Sequence, residues 1–95
     1  MPKAYWIARV TVTDPERYSL YATEATKVFA TYNAKVLARG GDFNAVEGNA
    51  RPRNVIIEFD SMEAALDCYR SPAYARARQH RKGAGVAEIV LVEGA

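Results

Sequence analysis

Residues 51–74 read Arg-Pro-Arg-Asn-Val-Ile-Ile-Glu-Phe-Asp-Ser-Met-Glu-Ala-Ala-Leu-Asp-Cys-Tyr-Arg-Ser-Pro-Ala-Tyr, a buried strand that runs straight into a capped helix. Val55, Ile56, Ile57 and Phe59 are apolar on both faces of that strand, which predicts a place in the middle of a sheet with something packed on each side. Asp60 or Ser61 caps the helix, in which Met62, Ala65, Leu66 and Tyr69 keep helical spacing. Ser71-Pro72 then restarts it. The serine caps, and the proline, tolerated only in a first turn, opens a segment from Ala73 to about Lys82 that Gly83 and Gly85 end.

Upstream, Ala4 to Thr13 forms a first strand, with Trp6, Ala8, Val10 and Val12 alternating against Tyr5, Ile7, Arg9 and Thr11. A helix follows, started either by Asp14 as N-cap with Pro15 in the first turn or by a Thr13/Glu16 capping box. Its apolar stripe is Tyr18, Tyr21, Ala22, Ala25, Val28, Phe29 and Tyr32, with Leu20 off it and Asn33 suited to a left-handed C-cap. The second strand runs from Ala34 to Gly40. Gly40-Gly41 predicts a bulge there, with Phe43 to Glu47 continuing the strand before a turn at Gly48 to Pro52. Arg53 to Phe59 is the third strand and Val86 to Glu93 the last, whose alternation leaves open whether Ile89/Leu91 or Val90/Val92 faces the helices.

Strand, helix, strand, strand, helix, strand is the split βαβ, ferredoxin-like α+β order: a four-stranded antiparallel sheet, order four-one-three-two, with both helices on one face. At 95 residues the chain makes one domain, 1–95, with little room for a second core. The helices cover Trp6, Val10, Val36, Val55, Ile57 and Phe59. The other face presents Tyr5, Ile7, Leu37 and Ile56 beside Arg9, Arg39, Asn54 and Glu58, more apolar surface than the few hundred Å² a monomer tolerates. The simplest cover is the same face of a second copy, so a homodimer through the helix-free sheet face is expected. On that face Glu58 falls between Arg9 and Arg39 on adjacent strands. The triad is either an ion-pair network that fixes dimer orientation or, with Asn54 and Tyr5, an arginine-lined site for a small carboxylate or enolate.

Composition narrows the function classes. Apolar residues at 49% and charged residues at 25% are ordinary globular values, and no apolar run approaches the roughly 20 residues of a bilayer span. With no signal-peptide core, a cytoplasmic protein without membrane contact is expected. The single cysteine, Cys68, reads as a small helix filler rather than a ligand or half of a disulfide. A net charge of +2 does not argue for nucleic acid, and the exposed face of the third strand lacks the aromatics of RNA-recognition modules. Arg70, Arg76, Arg78, Arg81 and Lys82 cluster with His80 and read as the solvated side of a helix. Metal, P-loop and dinucleotide motifs are missing, so no metal or cofactor is expected.

Four stretches in order, Tyr5 to Tyr18, Leu37 to Gly41, Arg51 to Phe59 and Ser71 to Tyr74, closely resemble the DUF1330 family over nearly the whole chain. The resemblance implies a dimeric α/β barrel related to cofactor-free antibiotic-biosynthesis monooxygenases, and it brings no catalytic set. The functional expectation is therefore a homodimer that binds a small polar or anionic molecule, in a pocket between sheet and helices or at the dimer face. The alternatives are a cofactor-free monooxygenase-like enzyme and a purely structural or regulatory dimer. His80 and Glu58 are the candidate proton-transfer groups if a reaction occurs. As the sole imidazole, His80 is also the one potential haem ligand, but it reads as a surface helix residue, and Trp6 as core.

Overall fold

The fold follows from one alternation shared by three strands. In the computed structural model, which describes residues 2–95, the elements run β1 (Ala4–Val12), α1 (Pro15–Thr31), β2 (Lys35–Arg39), β3 (Arg53–Phe59), α2 (Met62–Arg70), α3 (Pro72–Arg81) and β4 (Gly85–Glu93). The strands pair antiparallel in the order β2-β3-β1-β4, so β3 and β1 are central. Trp6 lies opposite Ile57, Ala4 opposite Phe59 and Ala8 opposite Val55. Because residues two apart share a face, this register sends Trp6, Val10, Ile57 and Phe59 together under the helices, where all four are buried. In β4, Ile89 and Leu91 lie opposite Ala8 and Trp6 and so face the helices, leaving Val90 and Val92 on the far side.

The caps fall where polar side chains can reach the free first-turn amides. Asp14 accepts from Arg17 N at 3.2 Å and Ser61 from Ala64 N at 3.1 Å, which settles both helix starts. Ser71 separates α2 from α3: its Oγ donates to Cys68 O at 2.7 Å and accepts from Tyr74 N at 3.1 Å. Asn33 takes the positive φ of 57° that leaves α1. The core is aromatic. Trp6 packs against Phe29, Phe59, Tyr69 and Tyr74 with ring centroids 5.1–6.0 Å apart.

Two expectations about β2 are corrected. The register shift lies between Val36 and Ala38 rather than at Gly40-Gly41, and Phe43 to Glu47 is not a strand. The extra residue, Leu37, reverses the facing of the residues after it, so Ala38 pairs with Ile56 and Arg39 with Val55. Gly40 then takes φ +64°, a left-handed conformation that only glycine adopts freely, and the chain leaves the sheet.

The far face of the sheet carries no helix. Tyr5, Ile7 and Ile56 are half-buried there, and Val86, Val90 and Val92 are 51%, 56% and 45% exposed. The molecule is a slab 36 × 33 × 16 Å across its Cα atoms, one sheet and one helix layer thick. Its surface of 6137 Å² exceeds the about 5,400 Å² that a globular chain of this size exposes.

Candidate functional site

The expected triad does not assemble within one chain. Arg39 is turned by the Leu37 bulge to the helix side of the sheet, which corrects its expected place beside Arg9 and Glu58. Arg9 lies opposite Asn54 and Glu58 opposite Tyr5, four positions apart along β1, a separation of about 13 Å. Neither residue is idle. Arg9 donates to Asn49 O at 2.9 Å, Asn54 donates to Arg51 O at 3.1 Å, and Glu58 pairs with Lys3 at 3.5 Å. With Arg51, whose Nε lies 3.0 Å from Glu88 Oε1 and whose Nη1 donates to Thr11 Oγ1 at 3.0 Å, Arg9 and Asn54 hold the 40–52 loop at one end of the open face. Tyr5 packs beside Gly94 at the other end. His80 lines an outer groove between α1 and α3 with Glu24, Lys27 and Arg76, away from the triad residues.

The structure places a different set together. Between α1 and the helix side of β1, β2 and β3 lies a cleft of about 480 Å³ with its open mouth included, of which about 40 Å³ admits the centre of a water molecule. Trp6, Val10, Phe29, Val36 and Ile57 give it apolar walls, and Arg39, Arg53 and Arg81 also line it.

Each cation arrives for a local reason. Arg53 is in phase with Val55, Ile57 and Phe59 on β3, so the strand's alternation aims it beneath α1. Its Cζ lies 5.3 Å from the centre of the Tyr18 ring. The Gly40 backbone approaches it so closely that a Cβ there would sit 2.6 Å from Nη1. Its Nε is buried and has no hydrogen-bond partner among the described residues. Arg81 ends α3, and the reading of the basic cluster as a solvated helix face fails here. Its Cζ lies 4.9 Å over the Tyr21 ring, and its Nη1 donates to Tyr21 Oη at 3.2 Å and Tyr74 Oη at 3.1 Å. Those two hydroxyls are 2.7 Å apart. Burial pushes both phenols above the ordinary tyrosine range, so both stay protonated at neutral pH.

Among the described residues no carboxylate lines the cleft, and none of its three arginines forms an ion pair. A site with apolar walls, three cations and neutral hydroxyls is chemically suited to an organic anion. Metal binding has no comparable basis: no group of three or more His, Cys, Asp or Glu side chains able to hold an ion occurs among the described residues.

The profile of the family described as a domain of unknown function, DUF1330, matches residues 3–95. The chain belongs to the DUF1330 family. No functionally curated protein matches it. Among solved structures it resembles a protein of unknown function from Rhodopseudomonas palustris, with TM-score 0.80 and 20% identity over 99% of this chain and 83% of that one. It is also similar to SnoaB, a cofactor-independent oxygenase from Streptomyces nogalater, with TM-score 0.69 and 14% identity, covering 100% and 95% of the two chains. A dimeric ferredoxin-like protein of unknown function from Thermobifida fusca gives TM-score 0.63 and 18% identity over 99% and 91%. At these identities the neighbours establish the ferredoxin-like fold of this DUF1330 chain.

Sequence reasoning grouped Arg39 with Arg9 and Glu58 on the open face, whereas the structure turns it to the helix side. Arg53 was legible as an arginine in step with three core residues, a signal of a cation carried inward. Tyr21 and Tyr74 sit on apolar stripes, where a buried hydroxyl calls for a polar partner, and that requirement pointed toward a residue such as Arg81.

Proposed function

We propose that this DUF1330 protein is a single-domain cytoplasmic homodimer that binds a small organic anion in the cleft between its sheet and α1. The observation that carries the reading is the buried, unpartnered Nε of Arg53 in a cleft with two further arginines and no carboxylate. An unsatisfied buried donor costs about 1–3 kcal/mol, more when charged, and an anionic oxygen removes that cost while gaining a charge-assisted bond. The apolar walls favour a ligand with a flat or branched hydrocarbon body and one anionic end.

The dimer reading draws on the uncovered apolar face, with Val86, Val90 and Val92 exposed, and on similar proteins described as dimeric. A two-fold pairing of these faces leaves the cleft, on the opposite side of the sheet, open to ligand. Arg9, Asn54, Glu58 and Tyr5, a ligand-binding set on sequence grounds, then act at the interface, bracing the 40–52 loop and orienting the two copies. Arg39 joins the ligand site instead.

Calorimetric titration with benzoate tests the site. Wild-type protein takes up one benzoate per chain, and Arg53→Met, which keeps the aliphatic stem and removes the cation, loses at least tenfold in affinity while still unfolding in a cooperative thermal transition. Equal affinity in the two proteins would refute the assignment. A second reading, cofactor-free oxygenation, takes its support from the fold shared with SnoaB and from the capacity of three guanidinium groups to hold an electron-rich enolate. Its test is oxygen uptake on mixing the protein with an enolisable substrate.

A further inference from the structure

The hydrogen count at the tyrosine pair says what form of ligand the cleft accepts, an inference that rests on the anion-site reading above. Tyr21 and Tyr74, both protonated, carry two hydroxyl hydrogens, and the 2.7 Å contact between their oxygens uses one. The Nη1 of Arg81 donates to both oxygens and accepts nothing. The second hydrogen therefore needs another acceptor. Tyr74 is fully buried and does not line the cleft, whereas Tyr21 does. Were Tyr21 the donor, the leftover hydrogen would be sealed on Tyr74 with no acceptor, at a penalty that buried donors rarely bear. With Tyr74 donating to Tyr21, the leftover hydrogen sits on Tyr21 at the cleft wall. No acceptor for it exists among the described residues, so it is available to a ligand.

The titratable groups facing the cleft are Tyr18 and Tyr21 of α1, Arg39 of β2, Arg53 of β3 and Arg81 at the end of α3; β1 contributes none, and no Asp, Glu or His lines it. Hydroxyl and guanidinium groups donate hydrogen bonds to a negative oxygen. The cleft can hold a negative oxygen but has no group that takes a proton away from a neutral ligand.

We propose that the Tyr21 hydroxyl, held in place by Tyr74 and Arg81, is the selecting hydrogen-bond donor of the cleft, and that the ligand enters as a preformed oxyanion: a carboxylate, an acidic phenolate or a stabilised enolate. Tyr74 and Arg81 are positioning residues. They fix the direction of the Tyr21 hydrogen without spending it.

Titration with 4-nitrophenol, whose ionised form is yellow, reads both halves of the proposal, with benzoate as a second ligand. The bound probe is the yellow phenolate, and its affinity rises with pH until the free probe is fully ionised, then levels off. Tyr21→Phe weakens both ligands about tenfold, the scale of one hydrogen bond to a charged group. Tyr74→Phe weakens them less, because Tyr21 keeps its hydrogen. A merely structural role predicts the reverse order, since Tyr74 is the more deeply buried ring. Thermal melts establish that each variant is folded, and Tyr21→Leu serves in place of Tyr21→Phe if that variant does not fold. Binding that depends on Arg53 but is unchanged in Tyr21→Phe, or preference for the neutral phenol, overturns this inference and leaves the anion site standing. Loss of binding in neither Arg53→Met nor Tyr21→Phe, or no uptake of either ligand by the wild type, overturns both.

Discussion

Gly40 offers the sharpest perturbation, because the molecule supplies its own control. Gly40 has φ +64°, and an added Cβ would stand 2.6 Å from Arg53 Nη1. Gly48 has φ +71°, with nothing within 4 Å of the same added atom. Alanine at either position bears the left-handed backbone penalty, about 1–2 kcal/mol. Only Gly40→Ala must also displace a guanidinium. The contact falls on the far end of a flexible side chain, so relief comes from swinging Arg53 away from the Tyr18 ring, which forfeits a cation–π contact of about 0.5–2 kcal/mol. Gly48→Ala should therefore lower the melting temperature by about 4–16 °C, and Gly40→Ala by that amount plus a few degrees at the same protein concentration. Anion affinity separates them further: Gly48→Ala binds benzoate as wild type does, and Gly40→Ala loses affinity as Arg53→Met does. Paired melting and titration of the two variants is the assay. If they match in both stability and benzoate affinity, Arg53 is not held by the Gly40 turn and the sheet places its cation by some other means.

The same packing governs three further outcomes. Val90→Asp puts a charge on the β4 edge of the open face, opposite Ile7, and twice across a two-fold interface; sedimentation velocity at micromolar concentration should show a monomer with an unchanged far-UV spectrum, since burying like charges against each other costs several kcal/mol. Trp6→Ala removes a ring that is 1% exposed and central to four aromatic contacts, at a cost of about 3–5 kcal/mol, a large share of a small domain's stability, so the urea midpoint should drop sharply or the native transition disappear. Burial pushes the Cys68 thiol up to about 12, from an ordinary value of 9.0. The unfolded chain then loses its proton first, so this group's contribution to stability is intact below pH 9 and declines as pH rises from 9 toward 12; Cys68→Ser should flatten that part of the stability profile in urea melts.

The architecture was readable in the sequence because the signals agreed across levels. Alternation in β1 and β3, the stripe of α1, Asp14-Pro15 and Ser71-Pro72 each pointed to the element that formed. The candidate site was harder to read for one physical reason. Strand facing has a period of two, so a single extra residue at Leu37 reverses every assignment after it, and Arg39 moved from the open face to the cleft. Gly40-Gly41 did carry a signal, but for the positive-φ exit from β2 rather than for the bulge. Phe43 to Glu47 showed why alternation alone does not make a strand: β3 pairs with β2 only as far as Val55 and Arg39, and a last bond from Gly40 N to Asn54 O at 2.9 Å leaves the subsequent residues no edge to join. Arg81 looked like one of several helix-surface cations, and nothing local in its neighbours marked it as the partner of two tyrosines 60 and 7 residues away.

A crystal structure of the protein grown with benzoate tests the central claim most directly. The carboxylate is expected inside the cleft, with an oxygen within hydrogen-bond distance of Arg53 Nε and the ring against the apolar walls beneath α1. Benzoate bound instead on the open sheet face beside Arg9, Asn54 and Tyr5, with the cleft unchanged, would contradict it.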